Sequence, residues 1–74
     1  MKSLSHFMLD LKELIGEMLG IDESRVHIEH VSPGCIAIRV PKKISMRRIA
    51  KAQDELRNHH IVVGMEAWIE RDTA

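Results

Sequence analysis

In the stretch RVHIEHVSPGCIAIRV, residues 25–40, apolar and polar residues alternate on both sides of Ser32-Pro33-Gly34. A period of two marks strands with one buried and one wet face, and Pro-Gly supplies turn chemistry between them. Parity then restricts the pairing. A three-residue loop sets residue 31 opposite 35, 28 opposite 38 and 26 opposite 40. Val26, Ile28, Ile36, Ile38 and Val40 then share one face. A two-residue loop would put Ile38 opposite Glu29 and send the aliphatic sets to opposite faces, because a one-residue slip inverts a strand. The sequence therefore predicts an antiparallel hairpin with an odd loop.

The flanking segments complete the pattern. Over residues 3–19, Leu4, Phe7, Met8, Leu11, Leu14, Ile15, Met18 and Leu19 recur at spacings of three and four. That spacing gives a helix with one apolar stripe. Ser3 or Ser5 can cap its start, and Gly20 suits the left-handed position past its end. A second helix is predicted over 45–58, capped by Ser45, with Met46, Ile49, Ala50, Ala52, Gln53 and Leu56 inward. Residues 61–70 read as a third strand, with Ile61, Val63, Met65, Ala67 and Ile69 on one face. On the other face lie Val62, Gly64, Glu66, Trp68 and Glu70.

The order α-β-β-α-β predicts a single α+β domain over residues 1–74. Two helices cover one face of a three-stranded, mainly antiparallel sheet. A right-handed crossover makes the third strand parallel to the second. It leaves two strand orders, 2-1-3 and 1-2-3.

At 74 residues the core is small, and a domain of this size gains from self-association. No apolar run approaches the ~20 residues that span a bilayer, and there is no signal-like opening segment. The lone cysteine fits a reducing compartment. The expectation is a soluble cytoplasmic protein.

Metal and catalytic chemistry find little support. Metal ligands on a strand must converge, usually at even spacing. His27 and His30 are three apart and leave opposite faces, and Cys35 lies near the turn. His59 and His60 fall at the second helix's end, where positive charge is favoured. There is no Gly-rich phosphate loop, no paired-carboxylate pocket, and a lone strand cysteine is most often a packed residue. The expectation is no metal, no cofactor and no enzyme activity.

Charge is balanced overall, with 11 basic and 11 acidic residues, but it is unevenly placed. Arg39, Lys42, Lys43, Arg47, Arg48 and Lys51 form a window free of acidic residues from 39 to 53. Cations at a helix start oppose the macrodipole, and Arg47 and Lys51 repel at i,i+4. Such a block can attract phosphate or an acidic partner. With the α-β-β-α-β order it resembles the smaller members of the KH-like group of nucleic-acid-binding folds, which implies nucleic-acid binding. That group's backbone-clamping GxxG loop is absent; PKKISMRR, residues 41–48, stands before a single helix instead. The resemblance carries no residue assignments. The stretch LIGEMLGIDESRV, residues 14–26, is similar to the first helix and loop of acyl carrier proteins, but the Asp-Ser-Leu attachment site is missing.

The uncovered sheet face is the other candidate surface. Val31, Cys35, Ala37, Val62 and Trp68 can form an apolar patch there. Tryptophan is enriched among interface hot spots. The sequence thus points to a protein-interaction module, a regulator or adaptor that binds a protein partner and forms a homodimer through this face, or by continuing the sheet through an edge strand. The alternative is a module binding nucleic acid through the basic block.

Overall fold

The computed structural model describes residues 4–72. Helix α1 (Leu4–Leu19) leads through a short 3₁₀ turn (Glu23–Arg25) to strands β1 (His27–Ser32) and β2 (Cys35–Val40). Helix α2 (Met46–Arg57), a second 3₁₀ turn (His60–Val62) and strand β3 (Glu66–Arg71) complete the chain. The domain is α+β in the expected order. The sheet order is β1-β2-β3, with β2 antiparallel to β1 and parallel to β3. The sheet is mixed rather than mainly antiparallel, and β2 is its centre.

The hairpin register agrees with parity over most of its length: His27 pairs with Arg39, Ile28 with Ile38 and His30 with Ile36. Near the turn it departs. Ser32, not Val31, lies opposite Cys35, and the register shifts between His30 and Ser32. Two demands compete here. Pro33-Gly34, with Gly34 at φ +80°, makes a two-residue turn of the kind that places proline first and a left-handed glycine second. The aliphatic face needs an odd count. A bulge at Val31 supplies the extra residue and satisfies both.

The third strand starts later than its alternation suggests. Gly64 at φ +81° adopts a left-handed conformation that breaks extended structure. Residues 61–65 instead form the connector that brings β3 alongside β2, where Glu66 N–H donates to the Gly34 carbonyl at 2.7 Å. Val62 is 6% exposed and belongs to the core, whereas Val63 is 78% exposed. Val62 and Gly64 are therefore not part of the open face.

The core is aliphatic. Leu11, Ile15 and Leu19 of α1 meet Ile36, Ile38 and Val40 of β2, with Ile49, Ala52 and Leu56 from α2. Phe7, Leu14 and Met18 pack against its margin. The α2 stripe is narrower than expected: Met46 is 59% exposed, and Ala50 is also exposed. Ser45 caps α2 by accepting Arg48 N–H at 3.3 Å. Of the candidate caps of α1, Ser3 lies outside the described residues and Ser5 falls within the helix.

The 3₁₀ turn before β1 is capped by Asp22, whose Oδ1 accepts Ser24 N–H at 2.9 Å. That backbone bond, followed by the Ser24 side chain, holds the Asp22 carboxyl below the usual aspartate range. A depressed folded-state pKa adds stability above the unfolded value, and the gain is lost as pH falls through the folded value. Asp22→Asn keeps an acceptor but cannot titrate. Thermal midpoints measured across the acidic range should fall less steeply for Asp22→Asn than for wild type; equal slopes would remove Asp22 from the account.

Candidate protein-interaction surface

The face of the sheet turned away from the helices is built in rows. Cross-strand pairing sets Glu29, Ala37 and Trp68 in one row, and His27, Arg39 and Glu70 in the next. Cys35 lies beside Glu66 at the turn end, with its Sγ 3.9 Å from Glu66 Oε2. The row positions follow from the period of two: each odd residue of β1 and β2 meets an even residue of β3 on this face.

Arg39 holds all three strands together on the wet side. Its Nη2 donates to Glu29 Oε2 at 2.8 Å, and its Nε donates to Glu70 Oε1 at 3.2 Å. The Glu70 hydrogen bond, and next the charge of Glu29, push the guanidinium pKa further up. The groups are well exposed, so the network adds more to orientation than to stability.

Among these charges, the row Glu29–Ala37–Trp68 has the apolar centre. Ala37 is only 3% exposed, although it sits on the face without helices; its small side chain lies low between longer neighbours. Trp68 is half-buried. It also borders a cavity of about 300 Å³ outside β3, lined by Gln53, Arg57, Val62 and Met65 as well. Val62, displaced from the open face, thus returns beside Trp68 from the edge. Val31, at the bulge, is exposed. The predicted set is brought together in part: Ala37, Trp68 and Cys35 share the face, Val31 stands on the bulge at its turn end, and Val62 sits in the cleft behind its edge.

The sequence did not single out Gln53 for what it does. Its Nε2 donates to the Ala67 carbonyl at 2.9 Å, and its Oε1 accepts Ile69 N–H at 2.7 Å. The side-chain amide occupies the outer edge of β3 as another strand would. A polar residue within the apolar stripe of α2 was the one available signal.

The basic block is dispersed. Arg39 is on the open sheet face, engaged by two glutamates. Arg48 Nη2 donates to the Leu19 carbonyl at the end of α1, where a cation complements the helix dipole. Lys42, Lys43, Arg47 and Lys51 remain exposed around the start of α2.

A larger cavity, about 590 Å³, lies elsewhere. Asp10, Glu13 and Glu17 of α1 face His59 and His60 over a floor of Phe7, Leu14 and Ile61. The two imidazoles stack with centroids 4.5 Å apart, and His59 Nδ1 accepts Ile61 N–H at 3.2 Å. His59 is thereby a cap for the 3₁₀ turn. Among the described residues, no three His, Cys, Asp or Glu side chains are grouped to hold a metal ion. No described helix is long and apolar enough to cross a membrane.

No family model, curated protein or solved structure matches this chain.

Proposed function

We propose that the chain is a small non-enzymatic protein-interaction module, a cytoplasmic regulator or adaptor, whose contact surface is the open sheet face around Trp68. The observation that carries this reading is the position of Trp68, the only tryptophan, half-buried on the helix-free face beside Ala37 and continuous with the cleft outside β3. An aromatic ring fixed on a strand loses little entropy when a partner covers it, and such anchors dominate binding energies. The Glu29–Arg39–Glu70 ion network borders it, with Glu29 in the same row as Trp68 and Arg39 and Glu70 in the next. Buried at the centre of an interface that network would be costly to desolvate, so it is suited to the rim. This argues against stacking two open faces on each other, where both networks would be buried, and for a different protein as the occupant of this face.

The second reading is nucleic-acid binding by Lys42, Lys43, Arg47 and Lys51. It is supported by their exposure around the capped start of α2, and weakened because Arg39 and Arg48 are engaged within the fold.

One experiment separates the two. The full chain is used as bait in extract of its source cell, and bound proteins are quantified for wild type, Trp68→Ala and Lys43→Glu with Arg47→Glu, all checked for native helix content. Arg48 is left intact because it holds the end of α1. The expected result is that Trp68→Ala lowers recovery of the specific partner about tenfold or more, while the charge reversal leaves it unchanged. If the charge reversal alone abolishes binding, and the bound material is salt-released RNA or DNA, the open-face reading is wrong.

A further inference from the structure

The three-stranded sheet has two edges, and they are treated differently. The β3 edge is closed by Gln53, whose amide satisfies Ala67 and Ile69. The β1 edge is bare. Five of the six residues His27–Ser32 are exposed and only Ile28 is partly covered. Free edges are commonly guarded by charged side chains, lysine above all, by proline or by a bulge. The stretch HIEHVS has no lysine or proline, and its bulge comes only at Val31, after His30. His27–His30 therefore presents a straight row of backbone groups with a single carboxylate, Glu29, as its guard.

We infer that the β1 edge pairs antiparallel with β1 of a second copy of this chain, in the register centred on Ile28. This inference concerns a surface apart from the Trp68 face and does not rest on it. The occupant follows from symmetry and charge. A two-fold axis through the sheet keeps like faces together, so a residue can oppose only itself or residues an even number of positions away. Centring on Glu29 sets two carboxylates directly opposite, which is unfavourable. Centring on His30 sets like imidazoles opposite and draws the bulge into the ladder. Centring on Ile28 sets His27 opposite Glu29 of the second copy, twice. Arg39 engages Glu29 only through Oε2, which leaves Oε1 for the incoming imidazole. On the helix side, Ile28 meets Ile28 of the second copy and buries its exposed part.

The product is one six-stranded sheet in which the two open faces run together, with a Trp68 in each half. It also relieves the shortage of core in a chain of this length.

Sedimentation and cross-linking of the full chain test the inference. In a Cys35→Ser background, residue 28 of two paired strands is about 4.5–5.5 Å from its counterpart between Cα atoms, within disulfide range. Ile28→Cys should give an inter-chain disulfide on mild oxidation, whereas Glu29→Cys, which faces residue 27, should give little. Glu29→Lys should weaken dimerisation about tenfold or more, and His27→Glu added to Glu29→Lys should restore it. Trp68→Ala should leave the dimer intact. A wild-type chain that stays monomeric at its highest workable concentration overturns the inference. Equal cross-linking at 28 and 29, or a dimer lost with Trp68→Ala, also overturns it. None of these outcomes bears on whether the Trp68 face captures another protein.

Discussion

Replacing Gln53 with leucine should destabilise the domain by about 2–4 kcal/mol, a large share of the total stability of a chain this small. Leucine fills a similar space but leaves Ile69 N–H and the Ala67 carbonyl, now bonded at 2.7 and 2.9 Å, beneath an apolar side chain. Each unsatisfied group costs about 1–3 kcal/mol, and the added apolar contact offsets only part of the sum. Urea titration is the measurement: the midpoint should fall with an unchanged slope. Gln53→Glu gives an internal control. Its carboxylate still accepts Ile69 N–H but faces the Ala67 carbonyl without a proton. Protonation restores a donor, so the introduced carboxyl should titrate at a higher pKa in the folded state than in the unfolded one. The deficit against wild type should therefore shrink as pH falls. A Gln53→Leu midpoint indistinguishable from wild type would mean that water serves this edge equally well.

The sequence carried the register of β1 and β2 because one face had to be aliphatic, and parity leaves no neighbouring solution. It did not carry the bulge at Val31, since Pro33-Gly34 and parity are each satisfied separately on paper and conflict only in three dimensions. The start of β3 was hidden for a related reason. Ile61, Val63 and Met65 alternate as strand residues do, yet a parallel partner for β2 can begin only where the chain has returned past Gly34. Val62 then falls into the core. Adjacency in sequence groups the basic block, but Arg39, on a strand, and Arg48, on a helix, nine positions apart, serve different parts of the fold. A side chain that caps a distant helix, as Arg48 does for α1, leaves no periodic trace. Trp68 was assigned to its face correctly because odd and even positions of β3 are fixed once any one of them is.

Gly16→Leu should cost about 3 kcal/mol and Gly16→Ala about 1, against the expectation from helix propensity, which favours both replacements by up to about 1 kcal/mol. Gly16 is buried near the end of α1. A Cβ placed there would lie 2.9 Å from the Ile21 carbonyl oxygen and 3.5 Å from the Glu23 nitrogen. These are backbone atoms, and they are braced. Ile21 N–H donates to the Gly16 carbonyl at 2.9 Å, the bond from C″ to C3 of a helix that ends through a left-handed residue, here Gly20 at φ +67°. Arg25 N–H and Val26 N–H return to Asp22 and Glu23 at 2.9 and 3.0 Å, and Arg48 holds the Leu19 carbonyl from the α2 side. The loop cannot retreat from a methyl group without loosening several of these bonds. Because it delivers Val26 and the first residues of β1, the same strain should lower dimerisation through the β1 edge together with stability. Equilibrium unfolding of the alanine and leucine variants, beside sedimentation of each, reads both effects. An alanine variant more stable than wild type would mean that the loop yields freely, and that α1 and β1 are joined less tightly than these contacts require.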